Sequence, residues 1–454
     1  PSDRRDGAIE ILLVEDEGEY GTLYVANRGN AFRHDDVVAL SRIGMSSKPP
    51  GEAIGNKGLG FRSVSHVCDA PEIYSQAAAS TGASRFEGFC FTFANRGDLA
   101  ALIADARTLE LARNDLPIFF LPQWLGDQND VIRAFAARDF ASTIRLPLRD
   151  RSSLQATRDE IAALARDGAP LLLFLDRIAT LTASISGLDG TTTPVASLTR
   201  DETKVRTTQL GVCICDLEAS RWLILRDQVD AQAMQAAITA GVEAKQLHGS
   251  WAGWHGQGEV ALAVRLDADV ISPRLYTHLP MGEGAVAPFS GHLHGTFFPT
   301  SNRKALDAAV ELNRLLLGRS AHLAARALLW LADEGVHDDQ ALLTREERAR
   351  ACADLLAWQT PPSLIAPAGS VAEQLDLGRL AVDALEQAAE TGFDGIAVVP
   401  CAAIVAANPG VAWRPAGRVR ATIEETPTFD MVAIASHEAA AGAAVIWPGL
   451  GRER

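Results

Sequence analysis

The chain has 454 residues, of which 47% are hydrophobic, 22% charged and 6% aromatic. These ordinary globular values exclude a disordered, collagen-like or coiled-coil chain, and the length predicts about three domains. The 42 basic and 57 acidic side chains give a net charge of −15, which argues against nucleic acid as a main partner, although a local basic patch would still allow it.

The first third of the chain alternates strand-like and helix-like patterns, which is typical of an α/β domain. The predicted strands are residues 8–14, 21–26, 72–75, a segment within 83–94, and 142–148. The predicted helices are residues 35–43, 61–67 and 154–167. The first of them has an acidic first turn, which suits the positive end of a helix.

The sequence pattern of the rest of the chain predicts a second α/β unit followed by a helix-rich region. The second unit begins near residue 171, and its predicted strands are 178–185, 205–215, 222–225, 259–266 and 293–298. Its predicted helices are 304–317 and 321–332. The last region has predicted helices at 344–358 and 371–390 and predicted strands near 396–399 and 432–435. The predicted domains are therefore residues 1–153, 154–332 and 333–454.

The six cysteines form no C-x-x-C pair, and Cys213 and Cys215 are spaced to share one face of a strand. Buried, reduced thiols explain this usage better than disulfides or zinc, so we expect a cytoplasmic location. The longest apolar runs, such as residues 171–175 and 327–332, are far short of the ~20 residues that span a bilayer. No membrane partner is therefore expected.

The most informative segment is IGNKGLGFRSV at residues 54–64, whose glycines Gly55, Gly58 and Gly60 are spaced G-x-x-G-x-G. Glycines allow close approach of the backbone, so amide groups can point into an anion site, and Lys57 can add charge near a terminal phosphate. On its own this spacing is also typical of a flexible connector. It is neither the P-loop G-x-x-x-x-G-K-[ST] nor the dinucleotide fingerprint G-x-G-x-x-G.

The neighbouring segments narrow these alternatives. Their sequences are ANRGNAF at residues 26–32, IGMSSK at 43–48, CDAPEIYS at 68–75 and STIRLPL at 142–148. In this order they resemble the GHKL ATPase superfamily, which covers gyrase, histidine kinases, MutL and the ninety-kilodalton heat-shock chaperone. The likeness is greatest to that chaperone and to the sacsin-like ATP-binding repeats.

The resemblance implies a fold. The first domain would be a GHKL or Bergerat-type ATP-binding domain that lacks its first helices. It would be an α/β sandwich in which a mixed sheet carries helices on one face and the nucleotide lies between helices and sheet. An α/β middle domain and a mixed, helix-rich C-terminal region would follow.

The resemblance also implies residues that bind ATP with Mg²⁺. Asn27 and Gly29 match the adenine box, and Thr143, after Ser142, matches the residue that opens the last strand of the pocket. The hinge before the lid and the second glycine box match Ser46, Ser47, Lys48, Gly55, Asn56, Lys57, Gly58, Leu59, Gly60 and Phe61.

A second region resembles the middle domain of the same proteins. RLYTHLPM at residues 274–281 and GTFFPTSNRK at 295–304 are similar to its LP strand and its F…S-x-R segment. In the chaperone an arginine of this segment reaches the terminal phosphate, so the resemblance makes Arg303 the candidate catalytic residue. A guanidinium group there offsets charge in the transition state and can raise the rate ~10³–10⁵-fold. The alternative is a surface arginine at the start of a helix.

Three features depart from the family pattern. The helix that carries the catalytic glutamate and the Mg²⁺-binding asparagine is not found before the first predicted strand. Either it lies upstream of Pro1, which we expect, or the protein has lost it. Asn27 stands where many relatives have aspartate; its carbonyl can accept a hydrogen bond from adenine but carries no charge, so nucleotide choice or affinity can differ. The lid, residues 49–54, begins with Pro49 and Pro50, which predicts a short, stiff strap.

The resemblance implies hydrolysis of ATP to ADP and phosphate, coupled to lid and middle-domain movement. A protein client or partner and a homodimer are the partners it implies. A nucleotide-sensing scaffold without turnover and a MutL-like DNA-associated clamp are the alternatives. Outside this pattern, His292 and His294 share a strand face, where they either bind metal or pack, and residues 248–255 form an aromatic loop that either binds a partner or folds over the second unit.

Overall fold

The computed structural model of the chain describes residues 6–41, 61–77, 83–94, 97–115, 119–164, 170–205, 210–218, 220–254, 256–300, 304–307, 309–334, 342–356, 431–434 and 445–448. The chain divides into two compact units. The first comprises Pro1–Asp167 with Leu175–Arg200, and the second comprises Gly168–Phe174 with Asp201–Arg454. Among the described helices, none combines the length and apolarity that a membrane-spanning helix requires.

The first unit is built on a mixed sheet with short helices. Its strands are β1 (Gly7–Val14), β2 (Thr22–Asn27), β3 (Glu72–Ser75), β4 (Cys90–Phe93), β5 (Pro122–Trp124), β6 (Ser142–Pro147), β7 (Ile178–Ser186) and the first part of β8 (Thr192–Val205). Its helices are α1 (His34–Ser41), α2 (Leu99–Leu102), α3 (Ala106–Asp115), α4 (Asp130–Ala137), α5 (Arg151–Leu164) and a 3₁₀ helix (Phe61–His66).

The strand order in this unit is β8-β7-β1-β2-β6-β3-β4-β5. β1 and β7 run parallel, and the other neighbouring strands run antiparallel. The predicted strands at 8–14, 21–26, 72–75 and 142–148 are confirmed within one residue at each end. β7 was expected in the second domain, but its pairing with β1 places it in the first unit.

One face of this sheet is covered by α1, the 3₁₀ helix and α5. Val37 and Leu40 of α1 and Phe61 and Val64 of the 3₁₀ helix pack with Ile73 of β3. Nearer β1, the apolar side of α5 forms a second cluster with the sheet, made of Leu13, Leu23, Leu148, Leu154 and Ile161. We call this the helix-covered face.

The opposite face is covered by α4, whereas the sequence led us to expect helices on one face only. Asn129 caps this helix, because its Oδ1 accepts the backbone N–H of Ile132 at 2.9 Å. Ile132, Phe135 and Ala136, at the i, i+3, i+4 spacing of one helix side, are buried together with sheet residues such as Tyr24. The burial of this apolar stripe explains why the second face is not left to solvent. α2 and α3 were also not predicted.

The second unit has its own mixed sheet, in the order β13-β12-β14-β11-β10-β9. Its elements are β9 (Gly211–Leu217), β10 (Ser220–Val229), α6 (Ala231–Glu243), β11 (Gly258–Arg265), β12 (Leu275–Thr277), β13 (Leu279–Pro280), β14 (His292–Gly295), α7 (Glu311–Glu334) and α8 (Arg345–Leu356). β12 runs parallel to β14, and the other neighbouring pairs are antiparallel. Its core joins sheet and helices through Met234, Ile238, Leu262, Leu293, Leu316 and Leu355.

α7 is one continuous helix where the sequence predicted two. The chain before it does not begin a helix at 304, because Pro299 and Leu306 form a β-bridge. Asn313 in the first turns of α7 holds this loop, since its Nδ2 donates to the carbonyls of Phe298 and Asp307 at 2.9 and 2.8 Å.

Near the end of the chain, β15 (Met431–Ile434) and β16 (Val445–Pro448) form a two-stranded antiparallel sheet. The first of these strands matches the strand expected near 432–435. The predicted helix at 371–390 and the strand at 396–399 lie outside the described residues.

Candidate functional site

The structure describes Asn27, Gly29, Phe61 and Thr143 among the residues that the sequence assigned to a site. The remaining ones lie outside the described residues: Ser46, Ser47, Lys48, Gly55, Asn56, Lys57, Gly58, Leu59, Gly60 and Arg303.

Asn27 is the last residue of β2, and its side chain turns the chain out of the sheet. Its Oδ1 accepts the backbone N–H of Gly29 at 3.0 Å, which is the local side-chain turn that asparagine favours. A Cβ on Gly29 would lie 3.2 Å from this oxygen, so glycine leaves the amide the room it needs. The backbone of Asn27 is also fixed, since its carbonyl accepts the N–H of Ala141 at 2.8 Å.

Three polar side chains lie in one row across β2, β6 and β3. Asn27 is directly opposite Ser142, and Ser142 is directly opposite Ser75. Directly opposite residues of antiparallel strands share a face, so all three side chains lie on the helix-covered face, like Ile73 and Ile144 two residues further along. Ser75 Oγ accepts the backbone N–H of Phe32 at 2.8 Å, which holds the loop after β2 against this row.

The hydroxyl of Ser142, in the middle of this row, is buried without a hydrogen-bond partner among the described residues. The residue is 1% exposed. A buried polar atom that lacks a partner costs roughly 1–3 kcal/mol, so such atoms usually meet water or a ligand. Ser142 therefore marks a place on the helix-covered face where a polar ligand atom would be stabilised.

Thr143 lies on the other face of the sheet. It is directly opposite Ala26 and Tyr74, which belong to the cluster under α4. Its Oγ1 is also buried without a partner among the described residues. The register thus brings Ser142, and not Thr143, to the face that carries Asn27. The sequence alone could not tell which of the two hydroxyls shares a face with Asn27, because the twofold alternation of a strand assigns faces only once the register is known.

Phe61, which the sequence assigned to the nucleotide site, packs its ring against two other phenylalanines of the first unit. Its ring centroid lies 6.2 Å from that of Phe93 and 5.8 Å from that of Phe119. The residue thereby anchors the start of the 3₁₀ helix to the sheet.

A charged cluster lies on the opposite face, near α4. Nη1 of Arg145 lies 2.6 Å from Oε1 of Glu72, and Nη2 lies 2.8 Å from Oε1 of Glu17. The hydroxyls of Tyr24 and Tyr74 donate to these two carboxylates at 2.7 Å. Burial, together with the neighbouring carboxylates, raises the pKa of both tyrosines, so both hydroxyls stay protonated donors. The cluster is fully paired and offers no free acid or base.

In the second unit, His292 and His294 are packed and hydrogen-bonded. Their Nδ1 atoms accept the backbone N–H groups of Arg274 and His278, each at 3.1 Å. The rings lie 5.2 Å from those of Trp222 and Phe174, respectively.

Both of these histidines are uncharged. Burial, and secondarily Arg274, lowers the pKa of His292 to about 3, and burial lowers that of His294 well below its usual value. The described residues contain no group of three or more His, Cys, Asp or Glu side chains that could hold a metal ion.

The aromatic loop of the second unit is folded inward. Trp251 and Trp254 are buried and stack with centroids 5.9 Å apart, and Trp251 meets Phe298 edge-on at 5.3 Å. Cys68, Cys90, Cys213 and Cys215 are buried, and none of these four side chains forms a disulfide.

Comparisons with known proteins assign no family. No family model matches the chain. A stretch of 163 residues, 34% of the chain, is 31% identical to the protein NO VEIN of Arabidopsis thaliana. The chain spans 5% of the length of that curated relative. A solved structure described as the N-terminal domain of a DNA repair protein is 8% identical, with a TM-score of 0.28 over 68% of this chain and 84% of that one. A TM-score this low transfers neither fold nor function.

Proposed function

We propose that the first unit is a nucleotide-binding module that takes a purine nucleoside triphosphate with Mg²⁺. ATP is the nucleotide that the resemblance to GHKL ATPases implies, and hydrolysis coupled to conformational change is the activity it implies. The observation that carries the proposal is the buried, unpartnered hydroxyl of Ser142 beside Asn27 on the helix-covered face. It supports a ligand whose polar edge meets these two side chains.

The apolar surface beside Asn27, Ser142 and Ser75 would accommodate a flat, largely apolar ring such as a nucleobase. Phe32, Phe61, Ile73 and Ile144 belong to one cluster on the helix-covered face, so the polar row borders an aromatic and aliphatic surface. Binding sites for small molecules combine such an apolar lining with a few placed polar groups. A nucleobase edge directed at Asn27 and Ser142 would satisfy both requirements.

The triphosphate would lie toward the glycine loop. Residues 55–60 lead into the 3₁₀ helix that begins at Phe61, and this helix packs on the helix-covered face. Backbone amides of a glycine-rich loop can hold phosphates without many side chains, and Lys57 would add positive charge. When bound with the nucleotide, Mg²⁺ would neutralise part of the phosphate charge.

A titration with fluorescent ATP and Mg²⁺ tests the proposal on the whole chain. Gly58→Val should abolish binding, because a β-branched side chain would fill the space that the phosphates need. Gly126→Val is the matched control: Gly126 is exposed and a Cβ there meets nothing within 4 Å. Unchanged affinity in the Gly58 variant would refute the loop assignment, and binding without phosphate release would favour a nucleotide-sensing scaffold.

A further inference from the structure

We propose that α8 is a proton-dependent latch on the second unit: protonation of the Asp354 carboxyl holds this helix in place, and ionisation loosens it. The proposal concerns the second unit and is independent of the nucleotide site proposed for the first. The observation behind it is a buried carboxyl group whose Oδ2 atom has no hydrogen-bond partner among the described residues.

Asp354 lies on the side of α8 that packs on the rest of the unit. Ala351 and Leu355, on the same side of the helix, belong to the core of the second unit. Asp354 is 3% exposed, so its carboxyl shares this largely apolar environment. An ionised carboxylate there would lose its hydration without a hydrogen bond to Oδ2 in exchange, whereas the neutral acid costs much less to bury.

Two charged groups act on Asp354, and they are paired with each other. Arg350, one turn earlier on α8, forms an ion pair with Asp269 of the loop after β11. Burial, and secondarily Asp269, raises the pKa of Asp354 to about 7, and Arg350 offsets part of this rise. The carboxyl is therefore uncharged in acid and becomes a buried charge near neutral pH.

The other ionisable side chains around α8 have partners of their own or are exposed. On α8 itself, Oε1 of Glu347 lies 3.0 Å from Nε of Arg221 of β10. Arg348 donates to the carbonyl oxygen of Leu343 at 3.5 Å. On β11 and α7, which pack against α8, the pairs are Arg265–Asp267, Arg314–Glu311, Arg319–Asp227 and Arg326–Asp227, and His322 is exposed.

α8 has the features of an element that opens locally. It packs on α7 and β11, and the apolar residues of the core that it and the preceding turn supply are Leu343, Ala351 and Leu355. Its start is stabilised by a capping box, in which the N–H of Thr344 donates to Glu347 Oε2 at 2.8 Å and the N–H of Glu347 donates to Thr344 Oγ1 at 3.2 Å. Few buried apolar contacts make local opening less costly than unfolding of the whole unit.

The direction of the effect follows from proton binding. In the open helix Asp354 titrates near the ordinary aspartate pKa of about 3.9, whereas in the closed helix its pKa is about 7. Between these values the closed form holds the proton and the open form does not, so acid favours closure. Opening should become more frequent as the pH rises from about 4 to about 7. His292 and His294 act in the opposite direction on unfolding of the whole unit, so opening must be measured on α8 itself.

Hydrogen exchange of the whole chain, followed by mass spectrometry of peptides from α8, tests the proposal. After correction for the intrinsic exchange rate, the opening constant of α8 should be at least about five-fold larger at pH 7 than at pH 5. Peptides from α6, in the same unit, should show no such increase. Asp354→Asn imitates the neutral acid and should remove the pH dependence of α8. Asp201→Asn makes the same change at an exposed residue of the second unit and should leave it intact.

Three results would overturn the latch. They are a smaller increase for α8 in the natural chain, an equal increase for α6, and an unchanged pH dependence in Asp354→Asn. If Asp354→Asn does not fold, as judged by circular dichroism, Asp269→Asn replaces it. That variant removes the like charge and frees Arg350 to pair with Asp354, so the difference between pH 5 and pH 7 should shrink. An undiminished difference would contradict the proposal.

Discussion

Asn27 lies directly opposite Ser142 in the register of β2 and β6, and both side chains are on the helix-covered face of the sheet. The next residue, Thr143, carries an equally buried hydroxyl on the other face, beside Ala26 and Tyr74. Two adjacent hydroxyls are thus equally hidden from water, and only one of them can meet a ligand that also touches Asn27.

Ser142→Ala and Thr143→Val form a matched pair of tests, because each removes a buried hydroxyl that has no partner among the described residues. We expect Ser142→Ala to weaken nucleotide binding about three- to ten-fold, since one hydrogen bond to the ligand is lost. Thr143→Val should leave the affinity unchanged. Isothermal titration of both variants measures this, and the reverse result would move the binding face to the side of α4.

Arg303→Ala tests the one catalytic role that the sequence assigns. The resemblance implies that this guanidinium would reach the terminal phosphate and stabilise charge that develops during the reaction. In protein that turns over nucleotide, we expect the affinity to stay within a few-fold while hydrolysis slows. Phosphate release in single-turnover experiments is the measurement, and equal turnover would remove Arg303 from the mechanism.

Arg145→Met should destabilise the first unit, because it leaves Glu17 and Glu72 side by side without their cation. The arginine side chain is 19% exposed, so we expect a loss of about 2–3 kcal/mol, below the 3–5 kcal/mol of a fully buried pair. Arg133→Met is the control: its partner Asp130 lies 2.5 Å away, but the two side chains are 51% and 95% exposed. That pair should contribute less than about 1 kcal/mol. Urea unfolding distinguishes the two, and equal losses would contradict the role assigned to the cluster.

The second unit should lose stability in acid through His292 and His294. Their pKa values are lowered in the folded protein, so below the ordinary histidine pKa of about 6.5 the unfolded chain binds more protons. The free energy of unfolding should therefore fall as the pH falls from about 6.5 toward 3, the pKa of His292.

His292→Phe is the variant that tests this pH dependence, because it keeps a ring between Trp222 and Tyr276 while removing the titrating group. Urea midpoints at pH 5 and pH 7.5 should differ less in this variant than in the natural chain. Replacing the exposed His34 by Gln should leave the difference as it is. A slope that persists unchanged in His292→Phe would assign the acid sensitivity to other groups.

The elements that the sequence predicted well are those whose side chains report a local period. β1, β2, β3 and β6 alternate buried and less buried residues or form short apolar runs, and their predicted limits are confirmed within one residue. α4 was not predicted, but its sequence carries the signal of a helix, since Ile132, Phe135 and Ala136 have helical spacing after an asparagine cap. α2 has only four residues, and such a short helix depends on tertiary packing more than on its own sequence.

By itself, the sequence determined which chemical groups are present: the glycine spacing at 55–60, an amide in place of a carboxylate at Asn27, and two adjacent hydroxyls at Ser142 and Thr143. The tertiary structure decided which hydroxyl accompanies Asn27, which way its amide points, and that β7 joins β1. The physical reason is that side-chain periodicity is a local property, whereas the pairing of distant strands is set by the core they bury together. A shift of one residue in that pairing exchanges every side chain between the two faces.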